Sequence, residues 1–422
     1  MPDWTKEQKK AIDSRHGSIL VSAAAGSGKT AVLVQRVIER LKDEDNPCPA
    51  DELLIVTFTR AATAQMKERI YQALMSEIDK APDSDLLKRQ ALLLPFAKIS
   101  TIDSFCNDIV RENFHDIDIS PDYGILDNSQ LALMCDDAVS RVMDELYKEN
   151  SPEFTELVGI MANGTDDSAL TDLICKLYND SMAFARPEEF LYGLSCVYHN
   201  DIPLEDHLWG NIIIDYAAQS IEYCLMLCEK MYDAGIADPI VGEKYSVGIA
   251  NNTAMFEELA KIIEHGSWDE IRNAISSASV GSLGRLPNKY SSAQSESVKA
   301  QKKVLSDQLK KLTALFCASE SENKDDMNYL EPIAEKLIDA VVRYGEILNE
   351  EKKAANSYDF SDICHFALKL LVSYDKDGKA HKTPLAESFA ERFKEILVDE
   401  YQDVNDLQNT LFWAVSKNET NM

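Results

Sequence analysis

The sequence predicts an α/β protein: a parallel sheet built around a phosphate-binding loop, interrupted by a large all-helical insertion. Three observations carry this. Residues 17–30, GSILVSAAAGSGKT, place a short apolar run ahead of a glycine loop and a helical pattern. Leu53–Phe58 and the stretch from Ala97 to Asp103 are further apolar runs that pass straight into helix-like sequence. From Pro121 to Ala355 strand signals vanish and helical periodicity takes over, until Phe393–Val398 supplies a last apolar run ending in Asp399-Glu400.

The organising stretch reads as a strand at Ser18–Ser22, a loop of Ala23, Ala24, Ala25, Gly26, Ser27 and Gly28, then Lys29, Thr30 and a helix. Strand, small-residue loop, Lys-Thr and helix form the context a P-loop requires. Small residues let backbone N–H groups close around phosphate oxygens, and the helix N-terminus adds partial positive charge. Lys29 is positioned to reach the β- and γ-phosphates of a nucleotide, and the Thr30 hydroxyl to ligate Mg²⁺. Ala23 stands where the general pattern has its first glycine.

With 45% hydrophobic and 27% charged residues, the 422-residue chain has the composition of a globular protein of two or three domains. No run is apolar and long enough for a membrane helix, and MPDWTKEQKK lacks the form of a signal peptide. The nine cysteines are scattered without metal-ligand spacing, which reads as buried thiols in a reducing cytoplasm. A formal charge of −29 opposes general affinity for nucleic acid, so any such role needs a local basic surface.

Along the chain, Gln8 stands just ahead of the loop, where an amide can read both edges of an adenine. The run Leu53–Phe58 ends in Thr57, Phe58, Thr59 and Arg60, and the next ends in Thr101, Ser104 and Phe105. Ligands of open α/β sheets sit at the C-terminal ends of strands. Hydroxyl, aromatic and basic groups together suit stacking and phosphate contacts with a single strand; they equally suit ordinary core and capping. The helical region carries Lys299, Lys302, Lys303, Lys310 and Lys311, either a nucleic-acid face or a solvated surface. Past YDFSD at 358–362, the apolar strand ending in Asp399-Glu400 is a Walker B arrangement. Asp399 would hold Mg²⁺, and Glu400 would orient and deprotonate the attacking water.

Together these motifs resemble superfamily 1 DNA helicases of the UvrD/Rep/RecB type. Gln8 matches the Q motif, residues 23–30 motif I, TFTRAATAQMKERI at 57–70 motif Ia, TIDSF at 101–105 motif Ib, and DEYQD at 399–403 motif II. The sequence departs from the family pattern at Arg60, Gln65 and Asp103, where Asn, Glu and His are usual. Within the family the long insertion looks most like AddA, the helicase–nuclease subunits of bacterial AddAB (RexAB) enzymes.

The resemblance implies a RecA-like domain in two parts, 1–120 and 356–422, around a helical insertion at 121–355. It implies ATP and Mg²⁺ as ligands and Glu400, Lys29 and Gln402 as catalytic residues, Gln402 coupling the γ-phosphate to a DNA groove. Thr57, Phe58, Thr59, Arg60, Thr101, Ser104 and Phe105 would contact single-stranded DNA. An AddB-like (RexB-like) subunit would be the partner, in double-strand-break repair by recombination. Motif III, a second RecA-like domain and a nuclease domain have no counterpart here, so the reading expects a fragment of a longer protein, weak in ATP turnover alone. A stand-alone UvrD/PcrA-like helicase and a non-catalytic DNA- or partner-docking module are the alternatives.

Overall fold

Strand Leu53–Thr57 is buried along its whole length, as a run of LLIVT without polar alternation requires of a central parallel strand. The computed structural model describes residues 4–15, 17–24, 26–46, 48–161 and 166–422. In it, Leu53–Thr57 pairs in parallel with Lys98–Thr101 on one side and Glu395–Val398 on the other, Ile55 lying opposite both Ile99 and Leu397. Alternate residues point to opposite faces. Leu53 and Ile55 enter a core with Ile38, Leu41, Ile70 and Leu74, whereas Leu54 and Val56 enter another with Ile109, Ile363, Leu368 and Leu411. Helices therefore cover both faces of this small sheet.

The ends of the strands are also where the helices start. Thr59 caps helix Arg60–Lys80 by accepting the Ala62 N–H, and Thr101 caps Ile102–Glu112 by accepting the Ser104 N–H. Asp359 and Asn405 form reciprocal capping boxes on Phe360–Leu371 and Asp406–Val415.

One expected element is absent. The sequence places a strand at Ser18–Ser22, but this segment lies outside any strand, with Leu20 78% and Val21 46% exposed. A strand needs a neighbour with free N–H and C=O groups. The outer edge of Glu395–Val398 is taken instead by the last residues: Ile396 N–H donates to the Asn421 carbonyl at 2.8 Å. Residues 18–19 bond to those same residues, through Ile19 N–H to the Met422 carbonyl at 3.1 Å and Ser18 Oγ to the Glu419 carbonyl.

The chain forms two compact units: residues 1–150, 161–191 and 340–422, which contain the sheet, and residues 151–160 and 192–339. Helices Asn128–Glu149 and Ser168–Ser181 group with the sheet, although their periodicity resembles that of the second unit. The second unit has its own core, where Ile221, Cys224, Met231, Phe256, Trp268 and Leu305 meet. Its long helices Leu208–Ala237 and Pro239–His265 cross closely at Gly235 and Gly242; a Cβ on Gly242 would lie 2.5 Å from the Gly235 carbonyl oxygen. Among the described residues no helix is long and apolar enough to cross a membrane.

YDFSD at 358–362 has a structural use. Asp359 and Asp362 cap their helix and also hold the Lys352 ammonium, 1% exposed, at 2.7 and 2.9 Å. Burial pulls the Lys352 pKa down, but Asp362 and Asp359 outweigh it and hold the ammonium above its ordinary value. Removing one partner of such a group leaves buried charge uncompensated. Lys352→Ala is therefore expected to cost about 3–5 kcal/mol in chemical denaturation. Replacing all three residues by apolar or neutral ones (Lys352→Met with Asp359→Asn and Asp362→Asn) should recover much of that loss.

Candidate nucleotide and nucleic-acid site

Helix Lys29–Leu41 starts from Gly28 in the left-handed region, φ 83°, and no side chain caps its first turn. Gly26 is also left-handed at φ 77°, and nothing lies within 4 Å of where its Cβ would be. A helix start with free N–H groups, next to glycines whose backbone a ligand can approach closely, suits an anion. This contrasts with the Thr59 and Thr101 helix starts, where a side-chain oxygen takes one of the first N–H groups. The loop thus fits a polyphosphate. Ala25 lies outside the described residues; Ala23 and Ala24 are exposed, and Ser27 N–H donates to the Ala24 carbonyl at 3.2 Å.

The fold brings the other expected groups to this loop. Asp399 follows the last strand residue, and its N–H donates to the Val56 carbonyl at 2.9 Å, which locks it to the sheet. Its own carboxylate accepts the Glu400 N–H at 3.1 Å. Glu400 has φ 53°, a sparsely populated conformation for a non-glycine residue. Its carboxylate lies 4.0 Å from the Lys29 ammonium and accepts a hydrogen bond from the Gln402 amide. Lys29 and the segment Asp399–Gln402, far apart in sequence, therefore meet at the loop. The Gln8 amide donates to the Ser27 carbonyl at 3.1 Å and accepts the Thr5 N–H at 2.9 Å, which ties the N-terminal helix Lys6–Asp13 to the loop.

A group of residues with no motif to flag it holds this arrangement from below. Glu395, at the base of the Walker B strand, takes Arg36 Nε at 2.6 Å and Arg40 Nε at 2.7 Å from the loop helix. Arg36 also donates to the carbonyls of Ala11 and Ser14 at 2.7 and 2.8 Å. Only the helical phase of Arg36 and Arg40, four residues apart, hints at this clamp in the sequence.

The residues expected to contact DNA divide between those that line a cleft and those that do not. Arg60, Thr101, Ser104 and Phe105 line a cleft of about 650 Å³; Thr57, Phe58 and Thr59 do not. Thr57 is buried and shares a 2.6 Å hydrogen bond with Thr63, while Phe58 is 36% exposed. Phe105 is 3% exposed, its ring 6.1 Å from Phe389 and 6.3 Å from Phe393, so it packs the core beneath the cleft floor instead of offering a face for stacking. The exposed ring at the cleft is Phe96, 69% exposed, which the sequence reading missed. Arg60, Lys67, Lys98 and Arg392 face the acids Asp108 and Glu112 there, a local cationic surplus. Asp103 is pushed up by burial, and the charge of Arg60 opposes the shift, so two departures from the family pattern sense each other. In the other unit, Lys299, Lys303, Lys310 and Lys311 are exposed on helix Ala293–Leu315, with Lys299 paired to Glu296 at 2.8 Å.

Comparison with known proteins fits this geometry. The family model described as the UvrD/REP helicase N-terminal domain matches residues 4–422. The chain belongs to this family. Among its relatives, proteins named as ATP-dependent helicase/nuclease subunits share 35% identity in Acetivibrio thermocellus and 33% in Clostridioides difficile, over 98% and 99% of this chain. Another of the same name from Clostridium beijerinckii is 34% identical over 99% of the chain. The chain spans about a third (34%) of the length of each of these relatives.

Burial and the neighbouring Glu400 push the Asp399 carboxyl above its ordinary value, with Lys29 opposing. A carboxyl whose pKa is raised on folding binds protons more readily in the folded state, so its charge lowers stability as pH rises through the range above its unfolded pKa. Asp399→Asn keeps the acceptor for the Glu400 N–H and removes that charge. The melting temperature of the nucleotide-free protein is expected to rise on this substitution, more at pH 8 than at pH 4; a fall at pH 8 would contradict the assignment.

Proposed function

We propose that this chain is the nucleotide-binding part of an ATP-driven DNA motor, an AddA-like subunit that translocates on single-stranded DNA. The observation that carries the reading is the approach of Lys29 to Glu400 across an uncapped glycine loop, in a chain of the UvrD/REP helicase family. On this reading the small parallel sheet is the P-loop sheet of a RecA-like domain formed by 1–120 and 356–422, and 121–355 is its insertion.

Each residue then has a defined task. The N–H groups from Ala23 to Thr30, with the Lys29 ammonium, balance the charge of the β- and γ-phosphates. Thr30 and Asp399 would hold Mg²⁺, which would supply further neutralisation of the phosphate oxygens. Glu400 accepts the proton of the attacking water, and Gln402, already hydrogen-bonded to that carboxylate, orients it and reports the state of the site toward the strand ends. Gln8 reads the adenine after giving up the Ser27 carbonyl.

The cationic cleft with Arg60, Lys67 and Phe96 suits a single strand through phosphate contact and stacking, which reconciles DNA binding with a net charge of −29. The whole protein, on the pattern of its relatives' names, would add nuclease activity and act as one subunit of an assembly; by its resemblance to AddA it would work with an AddB-like partner in the cytoplasm and serve recombinational repair of double-strand breaks.

The test is Mg-ATP binding and turnover by the chain, with and without single-stranded DNA. Lys29→Ala removes a charged phosphate contact and is expected to weaken nucleotide binding by roughly 10–100-fold. Glu400→Gln should retain binding while lowering whatever turnover exists by about 10²–10⁴-fold. Absence of nucleotide binding, or binding that Lys29→Ala leaves unchanged, would contradict the reading.

A further inference from the structure

Helix Leu208–Ala237 of the second unit has two apolar faces. One, with Ala217, Ile221, Cys224, Cys228 and Met231, is buried in the unit's core. The other is open to solvent: Leu208 is 67% exposed, Ile212 61%, Tyr216 42%, Tyr223 41% and Met226 38%. With exposed Gln219 in step, positions 212, 216, 219, 223 and 226 advance by fours and threes alternately. That spacing keeps a seam aligned along a second helix. From Ile212 to Met226 the seam runs about 21 Å.

The edge of this seam is acidic. Asp215, Glu222 and Glu229 recur every seven residues, all exposed, and Asp233 follows on the same side. None of these four makes an ion pair among the described residues, and Lys230 is the helix's only basic residue. A row of unneutralised carboxylates beside an apolar seam selects what can lie there. Nucleic acid and anionic lipid are repelled. A second copy laid antiparallel would set the acidic row against itself.

We propose that this face seats an amphipathic helix of a partner protein, its apolar side on the Ile212–Met226 seam and lysines or arginines along the edge facing Asp215, Glu222 and Glu229. The inference is independent of the ATP site and of the motor reading.

Two synthetic helical peptides of about three heptads serve as probes. Both carry leucines at the seam positions; one has lysines along the edge and the other glutamates. Fluorescence anisotropy with the full chain is expected to show binding of the lysine peptide, weakened about tenfold or more by Ile212→Lys and by the pair Glu222→Lys and Glu229→Lys. The charge-reversed protein should instead favour the glutamate peptide. Circular dichroism checks that the variants fold; if Ile212→Lys does not, the charge exchange at exposed positions still decides. Absence of binding, equal binding of both peptides, or a dimer of the chain that Ile212→Lys disperses would overturn the proposal.

Discussion

The Glu395 carboxylate, 5% exposed between Arg36 and Arg40, is the interaction on which the candidate site depends. It joins the helix that follows the glycine loop to the strand that delivers Asp399 and Glu400. Because Arg36 also caps the open carbonyls at the end of helix Lys6–Asp13, one buried cluster fixes three elements that approach the nucleotide loop. Charges buried this way are costly to leave unpaired, so losing one partner should destabilise all three elements together. Lys29 and Glu400 face each other at the upper end of elements that are locked together at the lower end.

The hydroxyl groups at the strand ends do two kinds of work. Thr59 and Thr101 satisfy the first N–H groups of their helices, and the Thr57–Thr63 pair closes the turn between strand and helix. The glycine loop omits such a cap. Together with the left-handed Gly26 and Gly28 and the nearby Lys29, its uncapped N–H groups leave the loop able to receive an anion. The cationic cleft adds a second polar surface nearby, so a chain strongly acidic overall keeps positive potential where phosphates are expected.

Buried and exposed carboxylates play different parts. In the sheet-containing unit, Glu395 holds two arginines, and Asp359 and Asp362 hold Lys352. On the outer face of helix Leu208–Ala237 carboxylates stand unpaired beside exposed aliphatic and aromatic side chains. A solvent-facing surface without a partner gains nothing from such a seam.

Local features of this protein were legible in the sequence because they depend on neighbours in the chain. The glycine loop, the buried strand Leu53–Thr57, the helix after Thr101 and the terminal Asp-Glu follow from backbone freedom, apolar runs and capping chemistry. The strand expected at Ser18–Ser22 failed because a strand is a property of its neighbours: the ladder edge it needs is occupied by Asn421. Phe105 and Phe96 exchanged places for a similar reason, since only packing against Phe389 and Phe393 decides which ring is core and which is exposed. Tertiary structure alone set the Arg36–Glu395–Arg40 clamp and the Lys352 cluster. Glu395 lies 359 and 355 residues from its two arginines; the Lys352 cluster is close in sequence, but its ion pairs matter only because burial removes water as the competing partner.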